Sequence, residues 1–368
     1  MEVKKERFYN VDLIRFVLAL EIILFHFGLL FKNSNPFFTK INSHFCHGFI
    51  CVEFFFIISG FFLFKNLNPE ENTIEFVKKR LIRLLPIKYF TLGICSIMSL
   101  FIKSLTISFN KIIMSLLLLN CIGFNQYKTG PIEVWYISVL FWVSLFYFYI
   151  SKLLNKKWLN LIIWLIVVLS CSYVLNCNFP NYVGIYKNTY LFFNQGVIRG
   201  LFGVGIGYFI AMLYKSNVVQ NLKTNKFLIT GLEVYSLLFL VYYLTINNKV
   251  PGGNYLNYII IFSIFFYLLL IKQGFFSKLL NNKTLSKLGQ YAYSLYVIHW
   301  VIYIIMKHSV FKLKIFYTYP EIFFLLCIST AIISGILAFY LVEKPTAKYL
   351  KEKFLNIQKP INNQVLPK

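Results

Sequence analysis

Ten separate apolar blocks organise this 368-residue chain, each close to the length of about 20 residues that a helix needs to cross bilayer hydrocarbon. They lie near 11–31, 48–64, 85–102, 134–151, 158–176, 195–214, 227–246, 255–272, 289–306 and 321–342. Lipid offers no hydrogen-bond partner, so each block must satisfy its own backbone, and among open segments only a helix does so. The expected fold class is therefore all-α: a polytopic membrane protein of about ten transmembrane helices. A shorter apolar piece at 112–122 is too brief to cross and is expected to be interfacial or re-entrant. Composition agrees. Hydrophobic residues make up 58% and charged residues 14%, against about 25% charged in ordinary soluble domains, which excludes a water-soluble globule.

The 37 Lys and Arg outnumber 13 Asp and Glu, giving a net charge of +24. A nucleic-acid partner would need a basic stripe, but these charges sit in short segments between apolar runs. No nucleic acid is expected, and the excess reads as topology. With the N-terminus inside, 26 of the 37 basic residues fall on inner segments, matching the enrichment of Lys and Arg in short cytoplasmic loops. Ten spans then place both termini in the cytoplasm. The basic start resembles a signal-peptide n-region, but the apolar stretch runs past Phe31 without a small-residue cleavage site, so a retained first helix is expected. Residues 1–345 read as one membrane-embedded domain and 346–368 as a short basic cytoplasmic tail with no appended soluble domain. Seven cysteines show no paired spacing; at most one disulfide among Cys46, Cys51 and Cys177 could form on the outer side.

Ionisable groups inside a membrane are costly and mark the first places to look for chemistry. In the first helix Arg15 and His26 are 11 residues apart, about 20° beyond three whole turns and about 16.5 Å of rise. They share a face, with a cation near the cytoplasmic end and a titratable base in the outer third. Snorkelling and helix packing are the plain alternatives. Glu53, about one turn inside the outer surface in the second helix, lies at the depth of His26, where a carboxylate can orient an imidazole. Ser59 and Gly60 follow farther in. Arg80 and Arg83 stand at i and i+3 beside the inner surface, a spacing that offers two guanidiniums to phosphate. Arginine occurs only at positions 7, 15, 80, 83 and 199 in a chain that otherwise uses lysine. Glu21 lies about 140° of rotation from His26 and should not face its groove.

These residues fall in ordered motifs that resemble the integral-membrane acyltransferase family 3. VDLIRFVLALEIILFHF is similar to its Arg-x10-His first helix, CVEFFFIISGFF to its second helix, and RLIR to its Arg-x-x-Arg motif. VWYIS, IRGLFGVGIGYFIA, YSLYVIHW and LVEKP resemble its later segments in the right order, so the likeness runs from residue 11 to 345. Two departures stand out: Cys51 replaces a common glycine, and Leu140 stands where many members carry glutamate.

The resemblance implies transfer of an acyl group, usually acetyl, from cytoplasmic acetyl-CoA or another acyl-CoA to a hydroxyl of a cell-surface glycan or lipid-linked sugar, at the bacterial cytoplasmic (inner) membrane. Under that implication Arg80, Arg83 and Arg15 would take the coenzyme phosphates, His26 would act as general base, and Glu53 would orient it. Ser59, Trp135, Tyr136 and His299 are candidates for substrate contact, although an interfacial aromatic belt accounts equally for Trp135 and Tyr136. No metal is expected: the His-x-Cys-His run at 44–47 crowds three donors into four loop residues. The glycines at 200, 203, 205 and 207 follow no strand, so they read as a close-packing helix face rather than a nucleotide loop. The competing class is a transporter or flippase, which the same buried charges would suit.

Overall fold

The computed structural model describes residues 6–32, 34–39, 47–102, 105, 107–120, 135–176, 194–217, 225–245, 255–309 and 318–355. The architecture is a helical bundle, and no strand occurs among the described residues. In chain order the helices are α1 (Tyr9–Phe31), α2 (Cys51–Lys65), α3 (Thr73–Phe101), α4 (Phe109–Leu116), α5 (Trp135–Leu153), α6 (Lys156–Asn176) and α7 (Gln195–Ser216). They are followed by α8 (Lys226–Thr245), α9 (Tyr255–Ile271), α10 (Phe275–Leu280), α11 (Ala292–Ser309), α12 (Pro320–Ala338) and α13 (Lys344–Phe354). Among the described residues, eight helical segments, built on α1, α2, α3, α5, α7, α8, α11 and α12, are long and apolar enough to cross a bilayer. The chain is a multi-pass membrane protein. Helices α6 and α9 occupy the other two expected positions.

Helix α2 is the axis of the bundle: 12 of its 15 residues are buried. It crosses α7 closely enough that a Cβ on Gly60 would meet the backbone of Val204, and one on Gly207 would meet the Ile57 carbonyl and the Phe61 amide. Glycine is required there because backbone, unlike a side-chain tip, cannot yield. The expected packing role of this glycine face is what the geometry displays. Helix α1 packs against α2, α11, α12 and the 3₁₀ turn Leu285–Tyr291.

Two elements differ in extent from the apolar pattern. The third span does not begin at 85: α3 is continuous from Thr73, capped by the Asn72 side chain accepting from the Ile74 amide at 2.8 Å, and passes through Pro86. Its first turns are charged and so escape a hydropathy reading, yet a helix can extend beyond the bilayer without breaking. The described part of the 112–122 piece overlaps the two-turn α4, which begins earlier, at Phe109, and is tied back to the bundle; residues 121 and 122 lie outside the described residues. Lys88 Nζ donates to the Ser115 carbonyl, Tyr89 Oη to Leu116 O at 2.7 Å, and Trp142 Nε1 to Leu118 O at 3.0 Å. The segment before α1 is anchored by Glu6, which accepts from Lys65 Nζ at 2.7 Å and Tyr214 Oη at 3.0 Å. Burial opposes its ionisation, but these partners hold the carboxyl below the usual carboxylate range. Cys51 is a buried free thiol; Cys46 and Cys177 lie outside the described residues, as do His44 and Cys46 of the His-x-Cys-His run.

Candidate active site

Helical register alone places Arg80 and Arg83 on one face of α3, and tertiary packing brings that face to the Arg15 end of α1. The three arginines line a single cavity of about 340 Å³ together with Ser59, Tyr136 and Tyr296. Arg83 is exposed, while Arg80 and Arg15 are half-buried, so the charges are partly desolvated and still reachable. Among the described lining residues four are basic, Arg15, Lys79, Arg80 and Arg83, and one, Glu71, is acidic and acts electrostatically on Arg80. Arg15 Nη1 makes a long 3.9 Å approach to Asp12 Oδ1. Lys79, at the same rim, is committed to Glu71 and Glu75 at 2.7 Å each. Arg15 and Arg83 lie close enough to act electrostatically on each other and on Glu343, which accepts a hydrogen bond from the Ser294 hydroxyl. A concave site lined by convergent guanidiniums suits a polyanion such as a phosphate group.

The Ser59 and Tyr136 hydroxyls stand 3.3 Å apart at the cavity wall. From there a row of rings leads away from the arginines. The Tyr136 and Tyr296 centroids are 5.4 Å apart, Tyr296 and His299 5.9 Å, and His299 and His26 5.1 Å. His26 itself is half-buried. Its ring also meets Trp300 edge-on at 5.4 Å, and Trp300 stacks on Tyr303 at 4.6 Å.

The tautomer of His26 follows from one contact. Nδ1 is 2.9 Å from the carbonyl oxygen of Ile22, one turn back in α1. A carbonyl can only accept, so Nδ1 carries the proton and the neutral ring presents its lone pair at Nε2. The spacing that puts Arg15 and His26 on one face does not reveal this bond, although every helical histidine has such a carbonyl four residues behind it.

Glu53 is buried and its Oε1 accepts from Nε of Arg199 on α7, likewise buried. Trp135 closes this assembly. The Arg199 guanidinium carbon lies 4.9 Å from its ring centroid, and Gly196 packs against it. Trp135 thus sits with the ion pair, and Tyr136, its neighbour in sequence, faces the cavity. No spacing in the sequence pairs Arg199 with Glu53; its rarity, one arginine among five in a lysine-rich chain, is the available signal. Glu21 is the second acid of α1, after Asp12. Its Oε1 is buried with no hydrogen-bond partner among the described residues, and its charge is felt at Cys51. No group of three His, Cys, Asp or Glu side chains is placed to hold a metal ion among the described residues.

The family described as an acyltransferase domain matches residues 8–339. No curated protein and no solved structure matches the chain.

Proposed function

Since the chain belongs to the acyltransferase family matched over residues 8–339 and is a multi-pass membrane protein, we propose that it O-acylates a glycan. The donor is cytoplasmic acyl-coenzyme A, with acetyl as the simplest acyl group. The acceptor is a hydroxyl of a cell-surface glycan or lipid-linked sugar, at a bacterial cytoplasmic membrane. One observation carries the reading: Arg15, Arg80 and Arg83 converge on a cavity from which a row of rings leads to His26. In this reading both termini are cytoplasmic, the arginines face the donor's phosphates, and the donor's arm follows the Tyr136 and Tyr296 side of the cavity toward His26.

The chemistry is an acyl transfer from sulfur to oxygen. His26 Nε2 takes the proton of the acceptor hydroxyl as the oxygen bonds to the thioester carbonyl carbon. The carbon–sulfur bond then breaks, and the departing thiolate recovers the proton from the imidazolium. The Ile22 carbonyl keeps Nδ1 protonated and aims Nε2 throughout. His299, fully buried against His26, forms the wall of the reacting space. Glu53, paired with Arg199, acts as a positioning residue that fixes α2 and α7 around that space.

The test uses purified protein in detergent, labelled acetyl-CoA and surface glycan from the producing cell. Transfer of label needs no sealed membrane, which separates an enzyme from a flippase. His26→Ala is expected to lower transfer by about 10²–10⁴ while the protein stays folded by circular dichroism. Wild-type turnover in that variant would remove the base from His26.

A further inference from the structure

A second cavity, of about 440 Å³, lies beside the first, between the ends of α2, α5, α6 and α7. Leu67 lines both cavities, so they open on the same side of the bundle. The walls of the second are apolar, among them Leu154, Leu159 and Met212, and two lysines, Lys156 and Lys215, stand in its lining. Among the described residues no acidic side chain lines it. Lys215 Nζ donates to the Phe64 carbonyl at 2.9 Å, which holds its ammonium at the α2 end of the cavity. Lys156 and Lys215 lie close enough for their charges to repel. Neither makes an ion pair among the described residues, whereas Lys65 has Glu6 and Lys79 has Glu71 and Glu75.

Two like charges beside an apolar wall are stabilised by an anion that carries apolar bulk with it. The flanking surface indicates where that bulk comes from. Leu153, Trp158 and Leu213, each next to a lining residue in sequence, are exposed by 65%, 57% and 52%, a level that in a bilayer means contact with lipid. Trp158 at the start of α6 is of the type that settles at the headgroup level. With the orientation proposed above, on which this inference rests, the pocket is a basic one between membrane helices on the cytoplasmic side, and such a pocket matches the headgroup of an anionic phospholipid.

We propose that this cavity is a binding site for an anionic phospholipid of the inner leaflet, its phosphate held by Lys156 and Lys215 and its glycerol and upper chains against Leu154, Leu159 and Met212. The occupant braces the ends of α5 and α7, the helices that carry Tyr136 and Arg199. The proposal is independent of which donor or acceptor the enzyme uses.

Delipidated full-length protein is titrated with phosphatidylglycerol or phosphatidylcholine and read by native mass spectrometry and thermal unfolding. The wild type is expected to retain one phosphatidylglycerol at least fivefold more than phosphatidylcholine, with a higher Tm when it does. Lys156→Gln/Lys215→Gln should lose that preference while its lipid-free Tm stays at the wild-type value. Equal retention of the two lipids by the wild type overturns the site even if the variant misfolds. An undiminished preference in the folded variant, or full displacement by soluble glycerol 3-phosphate, overturns it as well, the latter by showing a phosphate site that needs no lipid.

Discussion

Glu53 and Arg199 stand 146 positions apart and meet as a buried ion pair. Charges taken out of water are tolerable only while paired, and removing one partner leaves the other uncompensated, at a cost of about 3–5 kcal/mol. Glu53→Gln is therefore expected to lower stability by about that amount, seen as a lower midpoint of unfolding in detergent. Glu53→Gln/Arg199→Gln should regain part of the loss, because no lone charge remains. A single variant of wild-type stability that has lost activity would instead place Glu53 in the chemistry. At this scale the sequence discloses which residues share a helix face and little about which helices meet. Arg15 with His26, and Arg80 with Arg83, are legible because one helix carries both members. The Glu53–Arg199 pair and the approach of His299 to His26 depend on how α2, α7, α1 and α11 pack, which no spacing within a helix encodes.

Among elements, the crossing of α2 and α7 is set by glycine. Gly207→Ala would drive a methyl into the Ile57 and Gly60 backbone, and overpacking of this kind costs about 1–3 kcal/mol. Gly93 supplies the internal control. Its Cβ direction in α3 meets nothing within 4 Å, so Gly93→Ala should stabilise by about 0.5–1 kcal/mol through helix propensity alone. Opposite shifts of the thermal midpoint for the two variants are the expected result; equal shifts would mean that the crossing is looser than described. The same contrast shows the limit of reading glycines in a sequence. Both sit in apolar helices, and only the neighbour facing each one separates a packing requirement from a tolerated gap. The early start of α3 was hidden for a related reason: its first turns are held by an Asn72 cap and charged side chains, features of a helix outside hydrocarbon.

At the scale of the whole molecule, apolar blocks and the distribution of lysine gave the helical, multi-pass character, since lipid leaves the backbone few choices. What they could not give is that α1 and α3, from opposite ends of the first hundred residues, bring three arginines to one cavity beside the ring path to His26. That convergence is what supports reading three potential topology anchors as one proposed site for a polyanion. Changing Arg80 and Arg83 to lysine keeps the charge that orients the chain and removes the planar forks that suit phosphate. Each charge-assisted hydrogen bond lost is worth about 1.5–3 kcal/mol, and about 1.4 kcal/mol is tenfold in Kd. The decisive measurement is the affinity of purified wild type and Arg80→Lys/Arg83→Lys for coenzyme A, with an accessibility label reporting that the 65–79 segment keeps its side of the membrane. Unchanged topology and binding weakened by about tenfold or more are expected; equal affinities would leave these arginines as anchors and the donor's phosphates without a site in this cavity.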